Sequence, residues 1–337
     1  MTMGLILIAI GAICGGSFGL PAKFVPKGTP WEVLWGPFFF LATILLPVTI
    51  GPMLVKDLFG ICGTMELKHW LMPVLFGFLW GLGSMTLGRS FAFIGLSLAY
   101  ALNYGMQIAF GMLVPSLIFN ASVFVKTQGV LILVGAAVCI LGVVISGRAA
   151  LMKEAASREN PGNKQKKNMA MGIFVAVLSG VLCACYSVAS GYGTSAMKLA
   201  EAANPGSSMS GFMVTALILW GGSLSACGYC AQQLTVNKTW GELFKSTQIR
   251  VYVIALIMAL LHDGAIACYN IGAPMLSKVG NAIGYGIFMS LAIFTGTLNG
   301  FFAGEWKGVD PRAIRGIRLA LVILVMGVCI LAYANSL

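Results

Sequence analysis

Apolar stretches of about 20 residues, interrupted by glycine, proline and charge, recur along the whole chain. They place helices at 3–22, 31–54, 69–89, 95–119, 128–147, 169–190, 210–231, 251–273, 279–303 and 313–334. A helix of that length crosses roughly 30 Å of hydrocarbon. The pattern therefore predicts an all-α integral membrane protein with ten transmembrane helices. The tightest connection falls between the third and fourth spans, where Arg89 and Gly95 mark the boundary.

Composition narrows the class. Of 337 residues, 58% are hydrophobic and 9% charged, against about 25% charged in soluble domains. That excludes a soluble globular protein, and the spans leave no room for a large domain outside the bilayer. The net charge of +11 would suggest nucleic acid in a soluble chain, but in a membrane protein it carries topology, so no nucleic-acid partner is expected. The odd-numbered connections hold 16 of the 21 Lys and Arg. By the positive-inside rule they are cytoplasmic, both termini lie outside, and 148–168 is a cytoplasmic linker. The apolar start has no cationic n-region and is expected to be a retained first helix. The nine cysteines fall mostly inside apolar segments, as small buried residues do, and Cys227-x-x-Cys230 is the only redox-like spacing. Neither a metal nor a cofactor is expected.

The linker divides the chain near its middle, and the halves echo one another. Met3-Gly4-Leu5 opens the first span as Met171-Gly172-Ile173 opens the sixth, and Phe18 falls opposite Tyr186 at the same offset of 168. Val138-Cys139-Ile140-Leu141 recurs as Val328-Cys329-Ile330-Leu331. An offset of 181 superposes Gly83 on Gly264, Ala92 on Ala273 and Tyr104-Gly105 on Tyr285-Gly286. The expected domains are a five-helix repeat over 1–147, the linker, and a second repeat over 169–337. Five spans are an odd number, so the second repeat enters from the opposite face. Inverted repeats around a midplane site are an architecture of secondary transporters. Gly11-xxx-Gly15-xxx-Gly19, Gly77-xxx-Gly81, Gly280-xxx-Gly284 and Gly296-xxx-Gly300-xxx-Gly304 put small residues on single helix faces, where backbones can approach. Nothing resembles a phosphate-cradling loop or a catalytic carboxylate pair, so ATP-driven pumping and enzyme chemistry both lack parts.

The few polar residues inside spans are the candidates for a site. Tyr100, Asn103, Tyr104 and Gln107 fall at i, i+3, i+4 and i+7 and form one stripe on the fourth span. Amides both donate to and accept from vicinal sugar hydroxyls, and an aromatic face packs on the C–H face of the ring. The second half offers a thinner counterpart in Asn281 and Tyr285, with Tyr269 and Asn270 one helix earlier. Trp35 and Trp80 lie inside their spans and could close a pocket. Asp263 is the one acid near the middle of a span. An ionised carboxylate there costs about 2.5–3.5 kcal/mol, which makes it the default proton-coupling group. His262 adjoins it, but successive helical residues diverge by about 100° and no direct pairing is required. A break of the eighth span at Gly264 would offer Asp263 a capping role instead. Glu32 and Glu305 flank their spans and are expected at the cytoplasmic interface.

Ile10-Gly11-Ala12 through Phe18, Pro21, Lys23 and Val25 to Trp31-Glu32-x-x-Trp35 forms one characteristic run. Phe76-Gly77-x-x-Trp80-Gly81-x-Gly83-x4-Gly88, Leu96-Ser97 and Glu305-Trp306 complete the pattern. Together they resemble the L-rhamnose:proton symporter family of the drug/metabolite transporter superfamily, most strongly over residues 4–100. The resemblance implies ten helices in two inverted repeats, no prosthetic group, and import of a deoxyhexose driven by protons. Its signature points to Lys23, Glu32, Trp35 and Trp80. The expectation is thus an inner-membrane sugar transporter whose partners are a small sugar, protons and the lipid bilayer. An exporter of the same superfamily and a non-transporting receptor or assembly subunit stand as alternatives.

Overall fold

The structure, a computed structural model, describes the chain except residues 1, 159–168, 208, 246–247 and 277–279. It describes no side chains at 154–158, 274, 276, 280–286 and 335–336. The long helices are α1 (Thr2–Ser17), α2 (Trp31–Leu54), α3 (Leu67–Ile94), α4 (Leu96–Phe119) and α5 (Thr127–Arg158). They continue as α6 (Met169–Tyr192), α7 (Phe212–Val236), α8 (Ile249–Gly272), α9 (Gly280–Phe302) and α10 (Pro311–Ser336). Among the described residues nine helices are long and apolar enough to cross a membrane, and α9 adds a shorter apolar stretch at Ile287–Phe302. The protein is an all-α membrane protein.

Among the boundaries that differ from the sequence reading, three bear on the architecture. First, α3 runs five residues past Arg89 to Ile94, because Ser90–Ile94 contain no helix breaker. Only Gly95 separates it from α4. Gly95 holds φ at +81°, and a Cβ there would also sit 2.6 Å from the Glu305 carboxylate, so two constraints select glycine. Second, α5 continues to Arg158, through the first half of the segment expected to be a linker, on a run of good helix formers from Ala149 to Ala156. Third, α8 does not break at Gly264 but continues to Gly272.

The apolar pattern is read from outside in. Val130, Leu133 and Leu141 on α5, and Leu319, Val322 and Met326 on α10, are among the exposed side chains and face outward. The centre is α4, whose residues from Leu96 to Asn103 are fully buried. Lipid is as apolar as leucine, so close packing at small residues has to hold such helices together. On α3 a Cβ at Gly77 would overlap the Ile218 carbonyl oxygen, and one at Gly81 would overlap Ser225 Oγ and the Gly222 carbonyl of α7. Gly221 meets the Val74 carbonyl in the same way. Gly77→Val is therefore expected to destabilise the bundle by about 1–3 kcal/mol, read as a lower Tm in detergent. Gly228→Ala, inside α7 with open space around it, should keep or slightly raise Tm, since alanine fits there and favours the helix.

The principal helix pairs are α1 with α8 and α9, α2 with α7 and α8, α3 with α6 and α7, α4 with α5, α6 and α9, and α10 with α5 and α9. The first, third, seventh and ninth connections gather at one end of this bundle. There the Gly19 N–H donates to Tyr100 Oη at 2.9 Å, and Asn237 Nδ2 and Thr239 Oγ1 each donate to Glu32 Oε1 at 2.9 Å. At the other end the Lys56 N–H donates to Asn204 Oδ1 at 3.0 Å, joining the second and sixth connections.

Candidate solute-binding cavity

A cavity of about 170 Å³ lies at the centre of the bundle, walled by α1, α3, α4, α6, α8 and α9. The polar stripe of α4 supplies Asn103, Tyr104 and Gln107, and α8 supplies His262, Tyr269 and Asn270 from across the space. Trp80 and Ser84 reach in from α3, and Tyr186 and Ser187 from α6. Apolar surface comes from Leu87, Ala265, Ile266, Phe288 and Met289. Amides and hydroxyls thus line an otherwise apolar concave space, the composition expected of a site for a neutral polar solute.

Most of these polar groups are already engaged on one side. Tyr104 Oη donates to the Gly15 carbonyl at 3.0 Å, which fixes the ring against α1. Asn270 Nδ2 donates to Thr215 Oγ1 at 3.3 Å, and Tyr186 Oη lies 3.1 Å from the same oxygen. Asn103 is fully buried, and its Nδ2 donates to Ser179 Oγ at 2.6 Å while its Oδ1 has no partner. A buried amide oxygen without a donor costs about 1–3 kcal/mol unless a solute or water supplies one.

Two residues expected at the site do not reach it. Tyr100 lies one turn away from the cavity, toward the Glu305 end, and is fully buried. Its ring packs on Phe18, Phe91 and Tyr104, with centroids 5.9, 5.1 and 5.4 Å away. Gly296 of α9 lets that ring approach, since a Cβ there would lie 2.5 Å from it. Trp35 stacks on Trp31 at 5.7 Å and meets Phe38 edge-on at 5.2 Å. Both belong to an aromatic layer, with Phe18, Phe38 and Phe91, that closes the cavity on the Glu305 side. Asn281 and Tyr285 lie outside the residues whose side chains are described.

His262 and Asp263 are direct partners, a pairing that helical geometry by itself does not require. His262 Nδ1 lies 2.7 Å from Asp263 Oδ1, because both side chains bend toward each other from neighbouring directions on α8. His262 borders the cavity and Asp263 stands behind it. The imidazole is edge-on to Phe18 at 5.5 Å and Phe38 at 5.9 Å, and tilted against Trp80 at 5.9 Å. It therefore joins the cavity to the aromatic layer.

Lys23 and Glu32 anchor the closed end, and neither lines the cavity. Lys23 Nζ pairs with Glu305 Oε1 at 2.9 Å, and the Leu96 and Ser97 N–H groups donate to the same carboxylate at 2.7 and 3.2 Å. Glu305 thus caps α4 from a connection more than two hundred residues away. Burial pushes its acidity down, but Lys23 and the two backbone donors outweigh it and hold the carboxyl below the usual glutamate range. Trp306 Nε1 donates to Ser97 Oγ at 2.9 Å, which tightens the same junction. Arg89, six residues before Gly95, lies 4.7 Å from the Trp31 ring and 5.1 Å from the Tyr229 ring, and donates to Gln233 Oε1 at 3.0 Å.

Sequence reasoning missed Ser84, Ser187 and Ser179, because small hydroxyls in apolar helices look the same whether they pack helices or line a site. Tyr186 had a signal, its match with Phe18 across the halves, and both residues border the cavity.

Comparison with known proteins finds related chains over almost the whole length. The chain is similar to proteins named L-rhamnose-proton symporter from Citrobacter koseri, at 26% identity over 333 residues, covering 97% of this chain and 96% of that one. Those of Salmonella typhimurium and Salmonella newport are 25% identical over 334 residues with the same coverage. The profile of the L-rhamnose-proton symport protein (RhaT) family matches residues 1–335. Matched over nearly its whole length, the chain belongs to the L-rhamnose-proton symport protein family.

Proposed function

We propose that this protein imports L-rhamnose or a closely related deoxysugar together with a proton, by alternating access, across a bacterial inner membrane. The observation that carries the reading is one central cavity in which amides from two distant helices, α4 and α8, come together beside a part-buried carboxylate–imidazole pair. Asn103, Tyr104, Gln107, Asn270 and Trp80 hold the sugar, and Asp263 with His262 carries the proton. The family is one of transporters, not enzymes.

The inverted-repeat reading, with ten spans divided into 1–147 and 169–337, draws support from the helix pairing. Exchanging each helix with the one five later turns α1–α8 into α6–α3, α1–α9 into α6–α4, α2–α8 into α7–α3 and α4–α5 into α9–α10. The pairs α2–α7, α4–α9 and α5–α10 map onto themselves, as does the set of helices that walls the cavity. Cation placement puts the end closed by the aromatic layer and Glu305 on the cytoplasmic side, with both termini outside. Protonation of Asp263 then favours the sugar-binding state, and proton release inside follows rocking of the halves.

Uptake of labelled L-rhamnose into proteoliposomes under an imposed pH gradient tests this. Accumulation should require an acidic exterior, and Gln107→Ala should raise KM about tenfold through loss of one cavity-lining amide. Absence of gradient-dependent uptake would remove the proposal.

A further inference from the structure

Asn103 reaches the cavity through a hydrogen-bond chain that fixes which end of its amide the solute meets. Ser179 on α6 does not border the cavity. Its hydroxyl has a single proton, which goes to the Gly83 carbonyl of α3 at 2.9 Å. Towards Asn103, 2.6 Å away, Ser179 Oγ can then only accept. The amide nitrogen is held on that side, where Cys183 Sγ also lies 3.7 Å from Nδ2. Reversing the amide would spend the serine proton on Oδ1 and leave two oxygens, Ser179 Oγ and Gly83 O, in contact without a hydrogen between them. The remaining Asn103 oxygen is buried and has no partner. The three helices pack closely around this arrangement: a Cβ at Gly180 would overlap the Asn103 backbone carbonyl oxygen, and one at Gly83 would lie 2.6 Å from the Cys183 backbone nitrogen.

Resting on the sugar-binding reading above, we infer that Ser179 is a positioning residue that makes Asn103 present an acceptor only, so the transported sugar must offer a hydroxyl donor at that point. The site then reads the direction of one sugar hydroxyl's hydrogen bond as well as its presence. The cost of a ligand lacking that donor is a buried carbonyl left unpaired.

The experiment is competition against labelled L-rhamnose uptake in proteoliposomes. The competitors are L-rhamnose analogues in which each ring hydroxyl in turn is replaced by hydrogen or by fluorine, which can accept but not donate. In the wild-type protein one position is expected at which both analogues compete about 10- to 100-fold more weakly than the parent sugar. Ser179→Ala should raise KM with kcat unchanged, and Ser179→Thr, which keeps the hydroxyl, should restore it. In Ser179→Ala the amide is free to reverse, and the fluoro analogue should regain ground on the deoxy analogue at that position.

Fluorine tolerated at every position in the wild type would overturn the inference without any variant being needed. So would a Ser179→Ala protein with wild-type KM and an unchanged analogue pattern. Both outcomes leave L-rhamnose transport standing, whereas failure of the parent sugar to enter at all would overturn the transport reading and this inference with it.

Discussion

Asp263→Asn is expected to abolish proton-driven accumulation while leaving solute exchange across the membrane intact. The amide is nearly isosteric and can still hydrogen-bond His262 Nδ1, now 2.7 Å from Asp263 Oδ1, so the bundle should fold. It cannot take up or release a proton, and the variant is held in the equivalent of the protonated form. One pH unit drives about tenfold accumulation when one proton accompanies each sugar, since 1.36 kcal/mol corresponds to a factor of ten. In the variant that ratio should fall to one. Counterflow of labelled against unlabelled L-rhamnose, which needs no net proton movement, should persist. His262→Gln keeps the carboxylate but removes the group between it and the cavity, and should weaken coupling without eliminating binding. Wild-type accumulation by Asp263→Asn would show that the proton travels elsewhere.

Glu305→Ala is expected to give the largest loss of stability of any single charge change. It leaves Lys23 without its partner and the Leu96 and Ser97 N–H groups without an acceptor, at the start of the helix that carries the stripe. Breaking a buried pair from one side costs about 3–5 kcal/mol. The lower end applies here, because the Lys23 side chain is 35% exposed and its amine can turn to water. Thermal unfolding in detergent should show a Tm drop of several degrees, with Glu305→Gln intermediate. The pH dependence has a definite sign. The Glu305 carboxyl is held below its ordinary value of 4.5 in the folded protein. Its contribution is therefore fully present above that pH and is lost as pH falls through the lower folded value. The gap in Tm between wild type and Glu305→Gln should close on acidification below pH 4.5. A gap independent of pH would assign the effect to packing at Gly95 and Gly300 in place of charge.

Hydropathy is local and additive, and so the membrane class and the approximate spans were legible in the chain. The errors in the spans lie where local signals end. Arg89 read as a helix terminus because it is charged, yet its guanidinium rests between two aromatic rings and α3 continues past it. The α4 stripe was legible as a face of a helix. Its depth was not, and of four residues in register Tyr100 fell to the aromatic layer while Asn103, Tyr104 and Gln107 met the cavity. Trp80 and Trp35 are alike in sequence context, and only one of them borders the site.

By itself, then, the sequence determined the all-α membrane class, the asymmetry of charge along the chain, the rarity of Asp263, and the motifs that mark the family. The tertiary structure alone decided the pairing of His262 with Asp263, the Lys23–Glu305 cap on α4, and the serine that orients Asn103. The physical reason is rotation and height. Where a helix places its polar face depends on how closely its neighbours approach, and contacts such as Gly77 on Ile218 and Gly296 on Tyr100 set that approach across the full length of the chain.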